Sequence, residues 1–490
     1  ARIQKMLPRF FSEIDRKSDA FIKKFTGAED ASGKGAFSFG TVIRFELSVS
    51  RRLGASGAVM RICRDGDRDS DISFSFESSD NIFDKYTISL DTAALCAPDG
   101  YGLFYYEILL LRGYNTLFTS SINNLDFELA EKEGARFRLL VYEKDFTAPK
   151  SFGKGVMYHI FVDRFYKGEG EQVKNLPVRR DAVINNDWEH GIPQFAEKPG
   201  DNIANNEFFG GNLWGIVEKL GYLKGLGVTY IDTGDYMKTD EMFGGDEALE
   251  YLISQAKKEG IGVILDGVFN HTGDDSLYFN KYKRYGDGGA YNDSESKYRD
   301  WYIFRNWPDE CECWWGIKIL PKLNHSNREC RNFFVGKKGV IEKYTEMGIA
   351  GWRLDVADEL SDEFLDEIRD KVKSESGGEA VIIGEVWENA CDKLAYGKRR
   401  RYFSGRQLDS VMNYPVRNAI LDFCRFQDGI SLYNTLTEIY SSYPEIVSNK
   451  LMNILGTHDT ERIFTILGSE FEELEGSNAK LSVRRLSPEK

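Results

Sequence analysis

The feature that most constrains the fold is an alternation of short apolar runs with helical runs between residues 156 and 456. The strand-like runs are 156–162, 227–231, 262–266, the run that begins at Gly351, 380–385, 408–412 and 452–456. Seven βα units of this kind predict an α/β fold, a parallel (β/α)8 barrel of the TIM type. Catalytic groups of such barrels lie at the carboxyl ends of the strands.

Residues 36–147 follow a period of two instead. Six short runs with Gly, Asp or Asn turns between them predict an all-β, immunoglobulin-like sandwich that precedes the barrel: 41–47, 58–62, 71–76, 85–90, 103–111 and 136–142. Tyr101, Phe104, Tyr105 and Tyr106 could form a platform for sugar, although aromatic residues in strands are more often core. We expect residues 1–35 to form an amino-terminal extension, with a helix from Leu7 to Phe25.

Two further expectations concern the barrel domain, 148–490. The segment 273–330 is too long for a plain βα loop, so it predicts a small subdomain over the barrel mouth, after the third strand. No eighth strand follows Gly468, and 469–490 is too charged to supply one. We therefore expect the natural chain to continue past Lys490 with that strand and a β domain.

The amino-acid composition limits the kinds of partner that the protein can bind. A net charge of -14 argues against nucleic acid and anionic membrane surfaces, which bind excess Lys and Arg. No run of 18 apolar residues and no signal peptide is present, so we expect a cytoplasmic protein, or a secreted or cell-surface one if a signal was removed. The seven cysteines are an odd number, widely spaced, and favour reduced thiols. A metal site or disulfide at Cys311, Cys313 and Cys330 is the weaker alternative.

The segment Gly351–Glu359 begins apolar and ends acidic, and a helical run, 362–372, follows it. Residues two apart on a strand share a face, so Arg353 and Asp355 point the same way. A guanidinium beside a carboxylate keeps it ionised and fixes its rotamer, as a covalent glycosyl intermediate requires. An ordinary structural Arg/Asp pair explains this segment equally well on its own.

Acidic residues recur at the other strand ends. Asp266 ends the third run, Glu385 the fifth, and Asp459, preceded by His458, follows the seventh. Burying several like charges is costly unless function requires it. A metal site would use similar residues, but an Arg within the cluster repels a cation. The pattern favours sugar hydrolysis over metal hydrolysis.

Four of these segments resemble the conserved regions of the α-amylase family of glycoside hydrolases, in order and spacing: 266–271, 351–359, 384–387 and 456–459. Leu320–Asn324 resembles a fifth region, in the form found in the neopullulanase, cyclomaltodextrinase and maltogenic amylase branch. The resemblance covers about residues 150–470, and the preceding sandwich is similar to the amino-terminal domain of that branch.

The resemblance implies a role for each matching residue. Asp355 matches the nucleophile, Glu385 the general acid/base and Asp459 the carboxylate that stabilises the transition state. Residues that match sugar-binding positions are Arg353, His271, His458, Asp266, Trp387 and Glu359. Trp387 serves equally well as a core residue. Because the acid must be protonated while its partner is charged, we expect Glu385 to be less solvated than Asp355.

The sequence also departs from the family pattern. The loop after the second strand, which carries a substrate-stacking aromatic in the family, is missing between Ile231 and Asp232, so we expect the strand to end there. Asp358 stands where Asn is usual and Glu388 where His is common, which affects linkage preference. Asn212 replaces the usual Asp of a calcium-binding pattern.

The resemblance implies a retaining hydrolase of α-1,4 glucosidic bonds, with α-1,6 bonds open, in maltooligosaccharides, cyclodextrins, pullulan or starch. The alternatives are an α-glucan transglycosylase and a noncatalytic glycan-binding scaffold. No cofactor is required, a structural calcium ion is left open, and a homodimer through the amino-terminal domain is the assembly expected from the branch.

Overall fold

A computed structural model describes residues 19–192, 194, 206–233 and 237–468, without the side chains of 231–233. Over these residues, no helix has the length and apolar character needed to cross a membrane.

The strands are numbered in chain order. They are β1 Ala20–Thr26, β2 Glu29–Asp30, β3 Ala36–Ser38, β4 Val42–Ser50, β5 Gly57–Arg64, β6 Ser70–Ser73, β7 Ser75–Ser79, β8 Phe83–Asp91, β9 Gly102–Arg112, β10 Asn115–Ser121, β11 Phe127–Ala130, β12 Phe137–Tyr142, β13 Val156–His159, β14 Val183–Ile184, β15 Glu207–Phe208, β16 Val228–Thr233, β17 Gly262–Gly267, β18 Phe304–Asn306, β19 Glu310–Cys311, β20 Gly351–Leu354, β21 Val381–Gly384, β22 Leu394–Ala395, β23 Lys398–Arg399 and β24 Ser410–Val411.

The α-helices are numbered likewise. They are α1 Thr92–Cys96, α2 Leu213–Glu218, α3 Leu220–Gly225, α4 Gly245–Lys258, α5 Arg328–Val335, α6 Val340–Glu346, α7 Asp362–Ser376, α8 Tyr414–Phe426, α9 Gly429–Ser442, α10 Glu445–Ser448 and α11 Ile463–Gly468.

The chain divides into two compact units. The first contains the residues up to Thr147 together with 387–406 and 413–449, and the second contains 148–386, 407–412 and the residues from Lys450 onward.

Two β-sheets dominate the first unit. One has the strand order β2-β1-β4-β8-β7, and the other has the order β11-β10-β9-β12-β3, with β5 pairing both β9 and β6. Alternate residues of these strands enter one apolar cluster, for example Ile43, Phe45 and Leu47 of β4. The period of two therefore marks the inward face of each sheet, as the sequence pattern predicts.

One expectation for the first unit is wrong. The helix predicted from Leu7 to Phe25 fails over its described part, because Ala20–Thr26 is a strand paired antiparallel with Ile43–Val49; residues 7–18 lie outside the described residues. The inward positions of β1 gain more from this sheet than the local helical pattern offers. For the aromatic residues near β9, the core interpretation is confirmed at Phe104 and Tyr106, which are buried.

A parallel sheet organises the second unit. Its six strands follow the sequence order β13-β16-β17-β20-β21-β24, which is the neighbour order of a (β/α)8 barrel. The seventh predicted strand, 452–456, is reduced to one parallel bridge between Met412 and Met452. Leu455 beyond it is 55% exposed, so this run does not continue as a buried strand.

The expected break after Ile231 is wrong. Strand β16 continues through Thr233 and pairs with β13 and with β17, opposite Val263–Leu265. Hydrogen bonding on both sides favours an uninterrupted strand here. The segment 273–330 contains no α-helix before Arg328 in this fully described stretch, and it holds the short hairpin β18–β19 and a turn at Trp314–Gly316.

Candidate active site

Arg353 is the centre of the candidate site. It lies in β20, whose residues are all buried, and its guanidinium contacts three carboxylates. Nη1 donates to Asp266 Oδ1 and Oδ2 at 2.8 and 2.9 Å and to Asp355 Oδ1 at 2.6 Å, and Nη2 lies 2.8 Å from Glu385 Oε2. The three carboxylates end three neighbouring parallel strands. The predicted pairing of Arg353 with Asp355 is confirmed, and the structure adds Glu385 to the same guanidinium.

The cluster carries more negative than positive charge. Burial alone would lower the pKa of Arg353, but the charges of Asp266, Glu385 and Asp355 together raise it above its ordinary value. The side chain of Glu385 is 5% exposed and that of Asp355 is 17% exposed. Glu385 is therefore the less solvated of the two, as expected for an acid paired with an ionised nucleophile.

Val356 forms the turn directly after Asp355. Its φ of 40° and ψ of 57° place a β-branched residue in the left-handed region, which is a rare and strained conformation. In this conformation its backbone N–H donates to Glu385 Oε2 at 2.8 Å. The strained turn thus helps to orient the carboxylate of the neighbouring strand.

After this turn the chain enters α7. The Ser361 side chain accepts a hydrogen bond from Phe364 N, and Asp362 and Glu363 stand in the positive first turn of the helix. Gly377 ends it with a φ of 61°. The helix begins and ends at these local signals. The helical run predicted from the sequence is confirmed.

His271 is 8% exposed and is held by its neighbours. Asn270 Nδ2 lies 3.2 Å from His271 Nδ1, and an amide nitrogen can only donate, so Nδ1 accepts and the proton is on Nε2. Burial lowers the pKa of His271 to about 4, against the opposing charge of Glu359. The imidazole is therefore neutral near pH 7 and presents Nε2–H as a donor.

His458 and Asp459 follow the seventh predicted strand. His458 Nε2 lies 3.3 Å from Asp459 Oδ2, and the His458 ring stacks on His159, with centroids 4.9 Å apart. Burial lowers the pKa of His458, Asp459 opposes this shift, and the positive charge of Arg353 adds to it. His458 thus lies within electrostatic range of Arg353, and Asp459 lies against His458.

Glu359 anchors a second group of residues. Its side chain, 6% exposed, accepts from Lys322 Nζ at 2.7 Å and from Trp315 Nε1 at 3.2 Å. Trp314, next to Trp315, stacks on His271 with centroids 5.1 Å apart. The resemblance selects Glu359 and His271, and the fold joins them through the two tryptophans.

Comparisons with known proteins identify the family of this chain. The family model described as the catalytic domain of α-amylase matches residues 159–486, which is more than half of the chain. The chain belongs to the α-amylase family. Its parallel sheet is accordingly that of a TIM barrel, and an amino-terminal domain precedes it.

Named relatives of this α-amylase family member are longer proteins. An amylopullulanase of Thermoanaerobacterium saccharolyticum is 39% identical over 385 residues, covering 68% of this chain and 29% of the relative. A cyclomaltodextrinase of Thermoanaerobacter pseudethanolicus is 34% identical over 352 residues, covering 66% and 54%. The structure of a cyclomaltodextrinase aligns with a TM-score of 0.56 at 24% identity, covering 91% of this chain and 73% of that one. The predicted resemblance to the cyclomaltodextrinase branch is confirmed.

The chain spans less than a third of the amylopullulanases that it matches. Family membership therefore establishes the fold and the conserved segments of the barrel. It does not establish the substrate or the assembly of this chain.

The sequence predicts Trp387 either as a wall for the sugar or as a core residue. It falls in the first unit, where its ring stacks on Tyr414 with centroids 3.9 Å apart and planes 13° apart. It is 44% exposed, so it is not a core residue. Its role as a wall for sugar stays a prediction.

The family's calcium pattern finds no support at Asn212. Its Oδ1 accepts from Gly215 N at 2.9 Å as the cap of α2, and its Nδ2 donates to Gly210 O. No group of three His, Cys, Asp or Glu side chains within the described ranges is arranged to hold a metal ion. All seven cysteines are free thiols, so Cys311, Cys313 and Cys330 form no disulfide.

Sequence reasoning missed four residues around this α-amylase site. They are Val356, Lys322, His159 and Trp315, whose contacts are given above. Lys322 lies within the recognised segment 320–324, so that motif was the available signal. Nothing in the sequence pattern marks the left-handed turn at Val356, because Val normally avoids it.

Proposed function

We propose that this chain is a retaining α-glucan hydrolase that cleaves α-1,4 glucosidic bonds, with cleavage of α-1,6 bonds left open. The observation that carries the proposal is the contact of one buried guanidinium with Asp266, Asp355 and Glu385 at the ends of adjacent strands. Retaining glycosidases use two carboxyl groups close together, one as nucleophile and one as acid.

In the proposed reaction Asp355 attacks the anomeric carbon while Glu385 protonates the departing glycosidic oxygen. The glycosyl ester then reacts with water, which Glu385 deprotonates. Glu385 Oε2 lies 2.8 Å from Arg353 Nη2 and accepts from Val356 N, and these two contacts orient the carboxyl group. Asp459 stabilises the positive charge of the transition state, and Asp266, His271, His458 and Glu359 hold the sugar.

A water molecule has no place between a nucleophile and the sugar. We therefore expect a separation of about 5 to 5.5 Å between the Asp355 and Glu385 carboxyl groups in a substrate complex. A separation near 9 Å would indicate inversion instead.

Product analysis tests the proposal directly. The protein is incubated side by side with pullulan, cyclodextrin and soluble starch, and the first products are followed by proton NMR. We expect shorter maltooligosaccharides that appear first as the α-anomer. Products of the β-anomer would refute retention, and no cleavage of any of the three would refute hydrolysis. Longer products would identify an α-glucan transglycosylase.

The proposal extends to the first unit and to assembly. We propose that its two sheets form an immunoglobulin-like sandwich, supported by their shared apolar core, and that the protein dimerises through this domain. Sedimentation velocity of the intact protein over a range of concentrations tests the dimer. The proposed chemistry needs no cofactor.

A further inference from the structure

Trp315 is the most exposed tryptophan among the described large apolar side chains, at 78%. It lies in a turn, Trp314–Gly316, with a φ of 48° and a ψ of 26°. A non-glycine residue held in this left-handed region is strained and persists only where its surroundings fix it. The fold thus holds an apolar ring in solvent at a cost in stability, a combination that marks ligand-binding positions.

Two contacts fix the ring in place. Its Nε1 donates to the buried carboxylate of Glu359, which Lys322 also binds. Its face stacks on Trp314, with centroids 5.4 Å apart and planes 28° apart. A single orientation of the exposed indole is therefore maintained before any ligand arrives, which reduces the entropy lost on binding.

The stack continues to the site already described. Trp314 lies between Trp315 and His271, with planes only 11° apart on the His271 side. The three nearly parallel rings lead from His271 to solvent. An oligosaccharide that passes His271 along these rings would reach the Trp315 ring.

We propose that Trp315 is a stacking platform for a glucose ring remote from the bond being cleaved, so that it selects longer α-glucans. The C–H face of a pyranose packs on an indole, and the Lys322 ammonium beside Glu359 offers a donor to its hydroxyl groups. This inference rests on the proposed function, since it concerns the binding of the same substrate.

The competing explanation is that Trp315 only covers the ion pair of Lys322 with Glu359. The two explanations differ in what removal of the ring does. A cover supports stability whatever ligand is present, whereas a platform acts on affinity and acts more on long chains than on short ones.

The test measures binding by isothermal titration calorimetry in the Glu385→Gln protein, so that the sugar survives. Maltoheptaose and maltotriose are compared for Glu385→Gln alone and with Trp315→Ala or Trp315→Gly added. We expect the affinity for maltoheptaose to fall about tenfold, as for the loss of one good aromatic contact, and the affinity for maltotriose to fall less. Trp188→Ala, at a 40% exposed tryptophan, is the matched control and should change neither affinity.

The glycine variant separates the two explanations, because glycine adopts a φ of 48° without strain. A platform predicts the same loss of maltoheptaose affinity in both variants, even where the glycine variant melts at the higher temperature of the two. A lower melting temperature with unchanged maltoheptaose affinity would overturn the inference while leaving the proposed function standing. No binding of either sugar to the Glu385→Gln protein, with no cleavage by the wild type, would overturn both.

Discussion

Two buried ionic clusters occupy opposite ends of the same parallel sheet. At the carboxyl ends, one guanidinium, Arg353, faces three carboxylates. At the amino ends, one carboxylate faces two cations: Asp409, fully buried just before β24, binds Arg369 Nη1 at 2.9 Å and Lys373 Nζ at 2.6 Å.

The two clusters differ in how completely their charges are matched. Asp409 Oδ2 also accepts from Ile382 N, so each of its oxygens has a donor and the group ties α7 to β21. The Arg353 cluster leaves an excess of negative charge beside partly exposed carboxylates. A balanced cluster stabilises a fold, and an unbalanced one is kept for chemistry. This matches the division of barrels into a stability face and a catalytic face.

Glu385→Gln gives the largest expected effect at the carboxyl ends. The amide cannot donate a proton to the leaving group, so turnover should fall by roughly 10²- to 10⁴-fold. The melting temperature should change little, since the amide keeps an acceptor oxygen for Val356 N. Initial rates on cyclodextrin measure this. Glu375→Gln in α7 is the control and should keep full turnover; equal rates for both variants would remove Glu385 from the mechanism.

Asp409→Ala is the corresponding change at the amino ends. It leaves Arg369 and Lys373 buried without their carboxylate, which typically costs about 3 to 5 kcal/mol in the free energy of unfolding. Urea denaturation measures the loss, and turnover of the protein that remains folded should be close to that of the wild type. Asp409→Asn keeps two of the contacts and should lose less. Intact stability with impaired turnover would reverse the comparison.

His271, which follows β17 at the carboxyl ends of the sheet, makes stability depend on pH. Its pKa is lowered by burial to about 4 in the folded protein, whereas an unfolded His titrates near 6.5. Between these two pKa values only the unfolded state takes up the proton. The contribution of His271 to the free energy of unfolding is therefore fully present above pH 6.5 and is lost as the pH falls to 4. The loss reaches up to roughly 3 kcal/mol. Comparing unfolding free energies of the wild type and His271→Gln from pH 7 to 4 isolates it; parallel pH curves would contradict the shift.

Val356→Gly tests the smallest effect. Glycine relieves the left-handed strain but loosens the turn, so the free energy of unfolding should change by no more than about 1 kcal/mol. Turnover should still fall several-fold, because the backbone N–H of residue 356, which donates to Glu385 Oε2, is held less firmly. Thermal melting and initial rates measure both, with Val356→Ala as the control that retains the strain. Unchanged turnover in the glycine variant would show that the turn has no part in orienting Glu385.

Much of the site was predictable because its information is local or motif-based. The pairing of Arg353 with Asp355 follows from the period of a strand, and the acids at successive strand ends follow from the parallel order of the sheet. The conserved segments extended these roles to His271, His458 and Glu359. Their neighbours Trp314 and Trp315 were visible only as two of many aromatic residues in 273–330.

The sequence by itself determined the family, the order of the barrel strands and the residues that end them, because strand period and motif spacing are properties of neighbouring residues. The tertiary structure alone decided that Glu385 shares the guanidinium of Arg353, that Val356 is left-handed, and that β1 is a strand rather than a helix. Each of these depends on a partner distant in the chain. Burial and pairing with such partners outweigh local preference by amounts that no single segment reveals.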